Sequence, residues 1–354
     1  MLKKILALAV VLILVAGSLL SCGRKGNADV HVFYYTYSDT YISSVRNALD
    51  KALSDAGISY QDYDGNGNQT TQTEQIQTAI TKGAKVILVN IVNTGSDDAA
   101  NGIVSLAKGS GIPVIFFNRE VSDNVIKSYD KCAFVGTRAE EAGKLQGEMI
   151  GEYLRDNFDA VDLNRDGKIS YIMFKGEEGN NEAIYRTNYS VEEANKILVS
   201  AGKSELSFYD PSNPNKYLVD KNGLWSAAAA NEYMNTALTS YNEQNENMIE
   251  VVICNNDGMA QGAISALNSV GFNTGEGKSV PVFGVDATSA AQELIKNKKM
   301  TGTIKQDAEG MAEALSLMAK NGLGDAATLL EGTEKYDVDS DVAKIRIAYS
   351  KYLG

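Results

Sequence analysis

Residues 162–174 read Asp-Leu-Asn-Arg-Asp-Gly-Lys-Ile-Ser-Tyr-Ile-Met-Phe. Oxygen-bearing side chains alternate with spacers over the first nine of these positions and a glycine stands sixth, which is the pattern of an EF-hand calcium loop. The twelfth position, where an EF-hand has a bidentate glutamate, is Met173, inside a strand-like apolar run. We therefore predict a calcium loop that leads into a strand of an α/β protein and takes its last carboxylate from a distant part of the chain.

Short apolar runs alternate with helical periodicity along the chain. After the run at 30–35, Ile42, Val45, Leu49 and Leu53 fall on one helix face, and further apolar runs lie at 86–89, 114–117, 133–135, 171–174, 251–254 and 282–285. Nearly continuous apolar strands are what a parallel sheet with helices on both faces requires. The pattern predicts an α/β fold, and about 330 mature residues favour two domains over one.

The amino terminus has the order of a bacterial lipoprotein signal. Lys3 and Lys4 precede an apolar stretch at residues 5–20, and a small residue, Ser21, stands directly before Cys22. We expect residues 1–21 to be a signal peptide, Cys22 to carry lipid, and residues 22–28 to be a tether. A transmembrane helix is the alternative, but the stretch falls slightly short of a span. The expected location is the cell envelope, facing the periplasm or the exterior, with the lipid anchor as the only membrane contact.

Composition narrows the classes of function. The net charge is -12, and nucleic acid is an improbable partner because phosphate binding needs a basic face. Cys132 and Cys254 lie in or beside apolar runs and are predicted to be buried thiols. The single histidine, His31, falls in the first predicted strand, which nearly excludes Ser/His/Asp catalysis and histidine-rich zinc sites.

Polar residues gather just past the predicted strands, where open α/β sheets bind ligands. They are Asp39, Tyr41, Asn118, Arg119, residues 180–186, Asn256, Asp257 and Asp286. Taken singly, an aspartate or asparagine in such a place is more often a helix cap or a turn residue. Together, a mixture of carboxylates, amides and an arginine favours a binding site shared by two facing sheets.

Seven segments spread over residues 30–350 carry a family pattern: 112–120 (Ile-Pro-Val-Ile-Phe-Phe-Asn-Arg-Glu), 128–131 (Ser-Tyr-Asp-Lys), 134–137 (Phe-Val-Gly-Thr), the calcium loop, 175–177 (Lys-Gly-Glu), 249–257 (Ile-Glu-Val-Val-Ile-Cys-Asn-Asn-Asp) and 282–286 (Val-Phe-Gly-Val-Asp). In these segments the chain resembles the periplasmic galactose/glucose-binding proteins, a branch of the type I periplasmic sugar-binding family that serves ABC import. The resemblance implies two doubly wound parallel-sheet lobes joined by a three-strand hinge, with crossings near Thr137, Gln306 and Arg346. It divides the chain into an N-terminal lobe of residues 29–137 and 307–345 and a C-terminal lobe of residues 138–306 and 346–354.

The resemblance also implies which groups hold the sugar. Asp39 matches the carboxylate that accepts from the C4 hydroxyl, Tyr41 and Trp225 match the aromatics that sandwich the ring, and the other matching polar positions are Asn118, Asn180, Glu182, Arg186, Asn256, Asp286 and Gln306. This set suits a hexose, because planar polar groups satisfy the hydroxyl rim while aromatic faces cover the C–H patches. At Tyr41, Asn180, Glu182 and Gln306 the family has Phe, His, Asp and Asn, so the choice among D-glucose, D-galactose and a related sugar stays open.

The missing calcium ligand also comes from the resemblance, which implies Glu250. The full expected set for a structural Ca²⁺ is Asp162, Asn164, Asp166, the Lys168 carbonyl, Ser170 and Glu250. Ser170 stands where the family has a longer amide, so this ligand is expected to be weaker or to act through water.

The expected function is to bind a monosaccharide and deliver it unchanged to ABC permease subunits, with a chemoreceptor as a further expected partner. We expect a monomer and no enzymatic activity. A glycosidase that uses Asp39 and Asp286 is one alternative. A binding protein for another small solute, a pentose or a nucleoside, is the closer one.

Overall fold

The computed structural model describes residues 28–324 and 328–354. The predicted signal peptide, Cys22 and nearly all of the tether lie outside these ranges. The elements of the first part are β1 (Val30–Tyr34), α1 (Thr40–Asp55), β2 (Tyr60–Asp64), α2 (Gln69–Thr81), β3 (Val86–Val89), α3 (Asp98–Ser110), β4 (Val114–Phe117), α4 (Asp123–Lys127), β5 (Cys132–Gly136) and α5 (Ala139–Val161).

The second part continues the alternation. Its elements are β6 (Ser170–Lys175), α6 (Asn181–Ser200), β7 (Ser207–Phe208), β8 (Leu218–Val219), α7 (Ala227–Leu238), a 3-10 turn (Glu243–Asn245), β9 (Val251–Cys254), α8 (Asp257–Ser269), β10 (Val282–Asp286), α9 (Ser289–Lys296), β11 (Gly302–Gln306), α10 (Ala308–Leu323), β12 (Asp337–Asp339), β13 (Lys344–Arg346) and β14 (Tyr349–Tyr352).

The strands form two sheets. The first has the order β12-β13-β5-β4-β3-β1-β2, and the second has the order β14-β11-β10-β9-β6-β7 with β8 also paired to β6. All pairings are parallel except β12 with β13 and β11 with β14. The predicted α/β fold with two parallel-sheet lobes is confirmed.

Helices cover both faces of each sheet, so the central strands are buried throughout. On α1 the face of Ile42, Val45, Leu49 and Leu53 is buried as predicted, and it packs with α10 against one face of the first sheet. His31 lies in β1, and Cys132 and Cys254 are buried free thiols, as expected. In the described ranges, we find no helix with the length and apolar character needed to cross a membrane.

The chain passes between the two sheets three times. It leaves the first sheet after β5, returns after β11, and leaves again between β13 and β14. Arg346, predicted as the start of the last C-terminal segment, is the final residue of β13 and pairs with Gly136 in the first sheet. Every strand of a parallel set ends at the same edge of its sheet, so these passages bring the two sets of carboxyl ends together.

Candidate ligand-binding cleft

One cavity lies between the carboxyl ends of the two sheets. All ten residues that the sequence assigned to the ligand line it, together with Tyr35, Ile42 and Arg119. The cavity volume is about 40 Å³, so the two lobes enclose only a small space. The predicted residues are therefore brought together, while the part that each plays in binding stays a prediction.

Three of these residues are also helix caps. Asp39 accepts a hydrogen bond from the backbone N–H of Ile42, Asn180 from that of Ala183 and Asn256 from that of Met259. One side-chain oxygen at each helix start is used in this way. The cap interpretation and the site interpretation both hold, because each cap places its side chain at the edge of the cavity.

Three others hold unusual backbone angles. Asn118, Trp225 and Asp286 have φ values of 60°, 55° and 123°, in a region that non-glycine residues rarely adopt. Such strain persists only where the surroundings enforce it, and it gathers at functional sites. Asn118 is held by a neighbouring side chain: Nδ2 of Asn90 donates to the Asn118 Oδ1 at 3.1 Å.

Behind Asp286 the chain is held by the buried Asp257. The Asp257 carboxylate accepts from the Thr288 N–H at 2.7 Å and from the Thr303 hydroxyl at 2.6 Å. Burial raises the pKa of Asp286 well above its ordinary value, Arg186 opposes this rise and Asp257 adds to it. In the closed cleft Asp286 therefore holds a proton more readily than an exposed aspartate.

Arg186, on α6, is the centre of the polar groups in the cavity. Its Nη2 donates to Glu182 at 3.0 Å, to Gln306 at 3.2 Å and to the Tyr349 hydroxyl at 2.8 Å, and its Nη1 donates to the Asn255 carbonyl at 2.9 Å. Burial works against its charge, but the surrounding Tyr349, Glu182 and Asp286 raise its pKa, so the guanidinium stays charged.

Several buried polar atoms around the cavity lack a hydrogen-bond partner among the described residues. They are Nε of Arg119, Nε of Arg186, Nε2 of Gln306 and the hydroxyl of Tyr41. Buried polar groups left unpaired are costly and uncommon. The cavity wall thus offers donors to a ligand that carries hydroxyl groups.

Trp225 forms an apolar part of the wall. A Cβ on Gly176 would come within 2.0 Å of the indole Cδ2, so the indole lies directly on the backbone at Gly176 and only glycine fits there. The indole Nε1 of Trp225 donates to Glu177 at 3.3 Å. Tyr41 lines the same cavity and is only 5% exposed. Stacking of a sugar on these two rings stays a prediction.

Sequence reasoning left Tyr35 and Ile42 out of the site, and it placed Arg119 among the polar residues past the strands but not in the set that holds the sugar. Tyr35 ends the first apolar run and Arg119 directly follows Asn118, so both stand where a parallel sheet places ligand contacts. That position was the available signal. The Tyr35 hydroxyl donates to Asp39 at 2.6 Å, which fixes the carboxylate expected to receive the sugar.

Comparison with known proteins identifies the family. The family model for the periplasmic binding protein domain matches residues 30–325. The chain belongs to this family. Its members are substrate-binding proteins rather than enzymes, and they act outside the cytoplasm.

The chain is similar to the D-galactose/methyl-galactoside binding periplasmic protein MglB of Haemophilus influenzae, with 33% identity over 344 residues, 97% of this chain and 95% of the relative. A Bacillus halodurans ABC transporter solute binding protein with bound myo-inositol has a TM-score of 0.68 at 24% identity, over 94% of this chain and 96% of the other. A Clostridium phytofermentans protein of the same kind, with bound β-D-glucose, has a TM-score of 0.69 at 21% identity, over 91% and 93%. The resemblance to type I periplasmic sugar-binding proteins of ABC transport is confirmed.

The predicted calcium loop lies beside Glu250, its predicted remote partner. Glu250 accepts from the backbone N–H of Leu163 at 2.7 Å through one oxygen, and from the N–H and hydroxyl of Ser170 at 2.7 and 3.1 Å through the other. Met173, the twelfth position, is fully buried in β6. A carboxylate from 80 residues further along the chain thus lies against the loop, while its part as a calcium ligand stays a prediction.

The chemistry of this loop suits a hard cation. Its oxygens belong to carboxylates, an amide, a hydroxyl and a main-chain carbonyl, the groups that Ca²⁺ prefers. Within residues 28–324 and 328–354, no lysine or arginine forms an ion pair with Asp162, Asp166 or Glu250. In the same ranges no group of three His, Cys, Asp or Glu side chains is placed to hold a metal ion. Asp162 and Asp166 accept hydrogen bonds from backbone N–H groups of the loop itself.

Proposed function

We propose that this protein captures a hexose pyranose, D-glucose or D-galactose, in the cleft and delivers it unchanged to the membrane subunits of an ABC importer. The observation that carries the proposal is that all ten residues implied for the sugar line one cavity between the lobes. A chemoreceptor is a second proposed partner for the closed form.

The chemistry of the wall supports a hexose. The rim of a pyranose is a ring of hydroxyls that both donate and accept, and the cavity provides acceptors in Asp39 and Asp286 and unpaired donors in Arg186 and Gln306. The indole of Trp225 offers a flat apolar surface for one C–H face. Both epimers at C4 are compatible with Asp39, because a carboxylate accepts from either direction.

Closure of the lobes on a sugar follows from where these groups lie. Asp39, Tyr41 and Asn118 follow strands of the first sheet, whereas Trp225 and Asp286 belong to the second lobe. A ligand that touches both sets binds the closed form better than the open one, and it shifts the population by that difference in affinity. The closed form is the species that we propose the permease recognises.

The competing ligands are other small polyhydroxylated compounds, such as myo-inositol or a pentose. The relative solved with myo-inositol has the same fold, and a D-xylose-binding relative from the same Haemophilus species is 27% identical over 254 residues. Turnover by a glycosidase mechanism through Asp39 and Asp286 is a further alternative, which recovery of unchanged sugar would dismiss.

We also propose a structural Ca²⁺ held by Asp162, Asn164, Asp166, the Lys168 carbonyl, Ser170 and Glu250. The nearly complete burial of Glu250 without a cationic side chain supports it. Burial raises the pKa of this carboxyl, and a bound cation would stabilise its ionised form.

For the membrane, we propose attachment through lipid on Cys22, supported by the order of charged, apolar and small residues before it. A Cys22→Ala variant should then leave the membrane fraction of cells. A monomer is the proposed working state.

Calorimetric titration with D-glucose, D-galactose, D-xylose, D-ribose, adenosine and myo-inositol tests the proposed function. We expect one-to-one binding of a hexose that is at least about tenfold tighter than that of any other class. A pentose, nucleoside or inositol that binds more tightly than both hexoses would overturn the choice of ligand.

A further inference from the structure

An ion pair joins the two lobes beside the cavity. Nη2 of Arg119, just after β4 in the first lobe, lies 2.7 and 3.0 Å from the two carboxylate oxygens of Glu177, just after β6 in the second lobe. The side chains are 5% and 19% exposed. A charge pair that is mostly removed from water is screened weakly and interacts more strongly than one on the surface.

The first lobe holds Arg119 in place by contacts of its own. Its Nη2 also donates to the Val92 carbonyl at 2.8 Å, and its guanidinium carbon lies 4.4 Å from the ring centroid of Tyr35. Tyr35 in turn donates to Asp39. Because these partners all precede the crossing after β5, they orient Arg119 toward the second lobe without any group from that lobe.

On the other side, Glu177 also contacts an aromatic wall residue of the cavity. The Glu177 Oε2 that receives the arginine also accepts from Nε1 of Trp225 at 3.3 Å. The indole rests on the backbone at Gly176, the residue before Glu177. The Glu177 carboxylate thus contacts both Arg119 of the other lobe and the indole of Trp225, the ring that we propose covers the sugar.

We propose that Arg119 and Glu177 form a latch: their ion pair forms only when the cleft closes, slows release of the bound ligand and orients Trp225. The proposal rests on the proposed function for its ligand, but the latch itself consists of protein groups only. Arg119 and Glu177 are positioning residues in this role.

A second ion pair near the crossing provides a matched control. Arg138, directly before α5, pairs with Asp337 of β12 at 2.6 Å, but these side chains are 44% and 61% exposed. Exposed pairs of this kind contribute little. Asp337→Asn therefore removes the same type of contact at residues that do not line the cavity.

The test compares Glu177→Gln, Arg119→Gln, the double variant and Asp337→Asn by stopped-flow dissociation of the hexose that calorimetry identifies. Glu177→Gln should speed dissociation by about tenfold or more with little change in association rate, because loss of one buried charge acts on the off-rate. The double variant should be less impaired than the two single effects combined, and Asp337→Asn should stay within about twofold of the unmodified protein. Additive single effects, or a dissociation rate in Glu177→Gln within about twofold of the unmodified protein, would refute the latch.

Small-angle X-ray scattering separates this proposal from the proposed function. Glu177→Gln should enlarge the radius of gyration of the sugar-free protein relative to Asp337→Asn. If no hexose binds but this difference appears, the latch survives and the sugar assignment falls. If a hexose binds and neither scattering nor dissociation changes in Glu177→Gln, the latch is wrong and the sugar assignment survives.

Discussion

The hydroxyl of Tyr349 lies 2.8 Å from Nη2 of Arg186. Tyr349 begins β14, directly after the third passage between the sheets, and its hydroxyl also lies 2.8 Å from that of Thr137 at the first passage. Gln306, at the second passage, accepts from the same Arg186 nitrogen. Arg186 is thus bonded directly to side chains at the second and third hinge passages and, through the Tyr349 hydroxyl, to Thr137 at the first, so a change in its position acts on the hinge.

Tyr349→Phe should destabilise the protein and weaken hexose binding. The substitution removes one hydroxyl, and the buried side chains of Arg186, Thr137 and Glu182 each lose a hydrogen bond to it. Leaving such buried polar groups unpaired costs about 1–3 kcal/mol. Urea denaturation and calorimetry measure the two effects. Tyr352→Phe, on the same strand, is the control and should change neither. Equal behaviour of the two variants would show that the Tyr349 hydroxyl has no part in the hinge.

Asp39→Asn should weaken hexose binding by about tenfold or more while leaving the melting temperature nearly unchanged. Asparagine caps a helix as well as aspartate does, so α1 keeps its cap and only the charged acceptor for the sugar is lost. Asn68→Asp, which alters the cap of α2 at a residue that does not line the cavity, is the matched control. Unchanged affinity in Asp39→Asn would place the C4 hydroxyl elsewhere.

Removal of calcium should lower the melting temperature. A ligand bound only by the folded state stabilises it by about 2.7 kcal/mol at a hundredfold excess over its dissociation constant. Glu250→Gln should abolish most of the difference between calcium and chelator, whereas Glu276→Gln, an exposed acid outside the loop, should preserve it. Identical melting with calcium and with chelator in the unmodified protein would dismiss the metal.

The free energy of unfolding should fall as the pH rises from about 4 to 7, because Asp62 loses its proton in this window. Burial raises its pKa from 3.8 to about 7, neighbouring Asp50 adds to the rise and Arg46 opposes it. A folded-state pKa above the unfolded one means that the native state binds the proton more tightly, so raising the pH through this window costs stability. Asp62→Asn should flatten this part of the profile in urea denaturation, and exposed Asp55→Asn should not. Parallel profiles for the unmodified protein and Asp62→Asn would contradict the assignment.

The interior strands were predictable because burial on both faces leaves them almost purely apolar. The runs at 114–117 and 251–254 coincide with β4 and β9. Edge strand β2 has the sequence Tyr-Gln-Asp-Tyr-Asp and one neighbour in its sheet. Its mixed polarity does not distinguish it from a loop.

Contacts between distant residues were beyond sequence reasoning. Residue types and family positions predicted the ten cavity residues, because most of them stand beside the end of a strand or helix. Arg119 and Glu177 are 58 positions apart, and Arg186 and Tyr349 are 163 apart. No local pattern links such pairs, and only the arrangement of two sheets brings them together.

Emission of Trp225 during a hexose titration tests the central claim most directly, since this is the only tryptophan in the chain and it lines the cavity. Contact with a C–H face and exclusion of water on closure both change the surroundings of the indole. We predict a saturable change in emission with D-glucose or D-galactose at micromolar concentration or below, and a much weaker response in Asp39→Asn. Emission that stays constant at all hexose concentrations while calorimetry detects binding would place the sugar away from Trp225, and no response in either measurement would contradict hexose binding in this cleft.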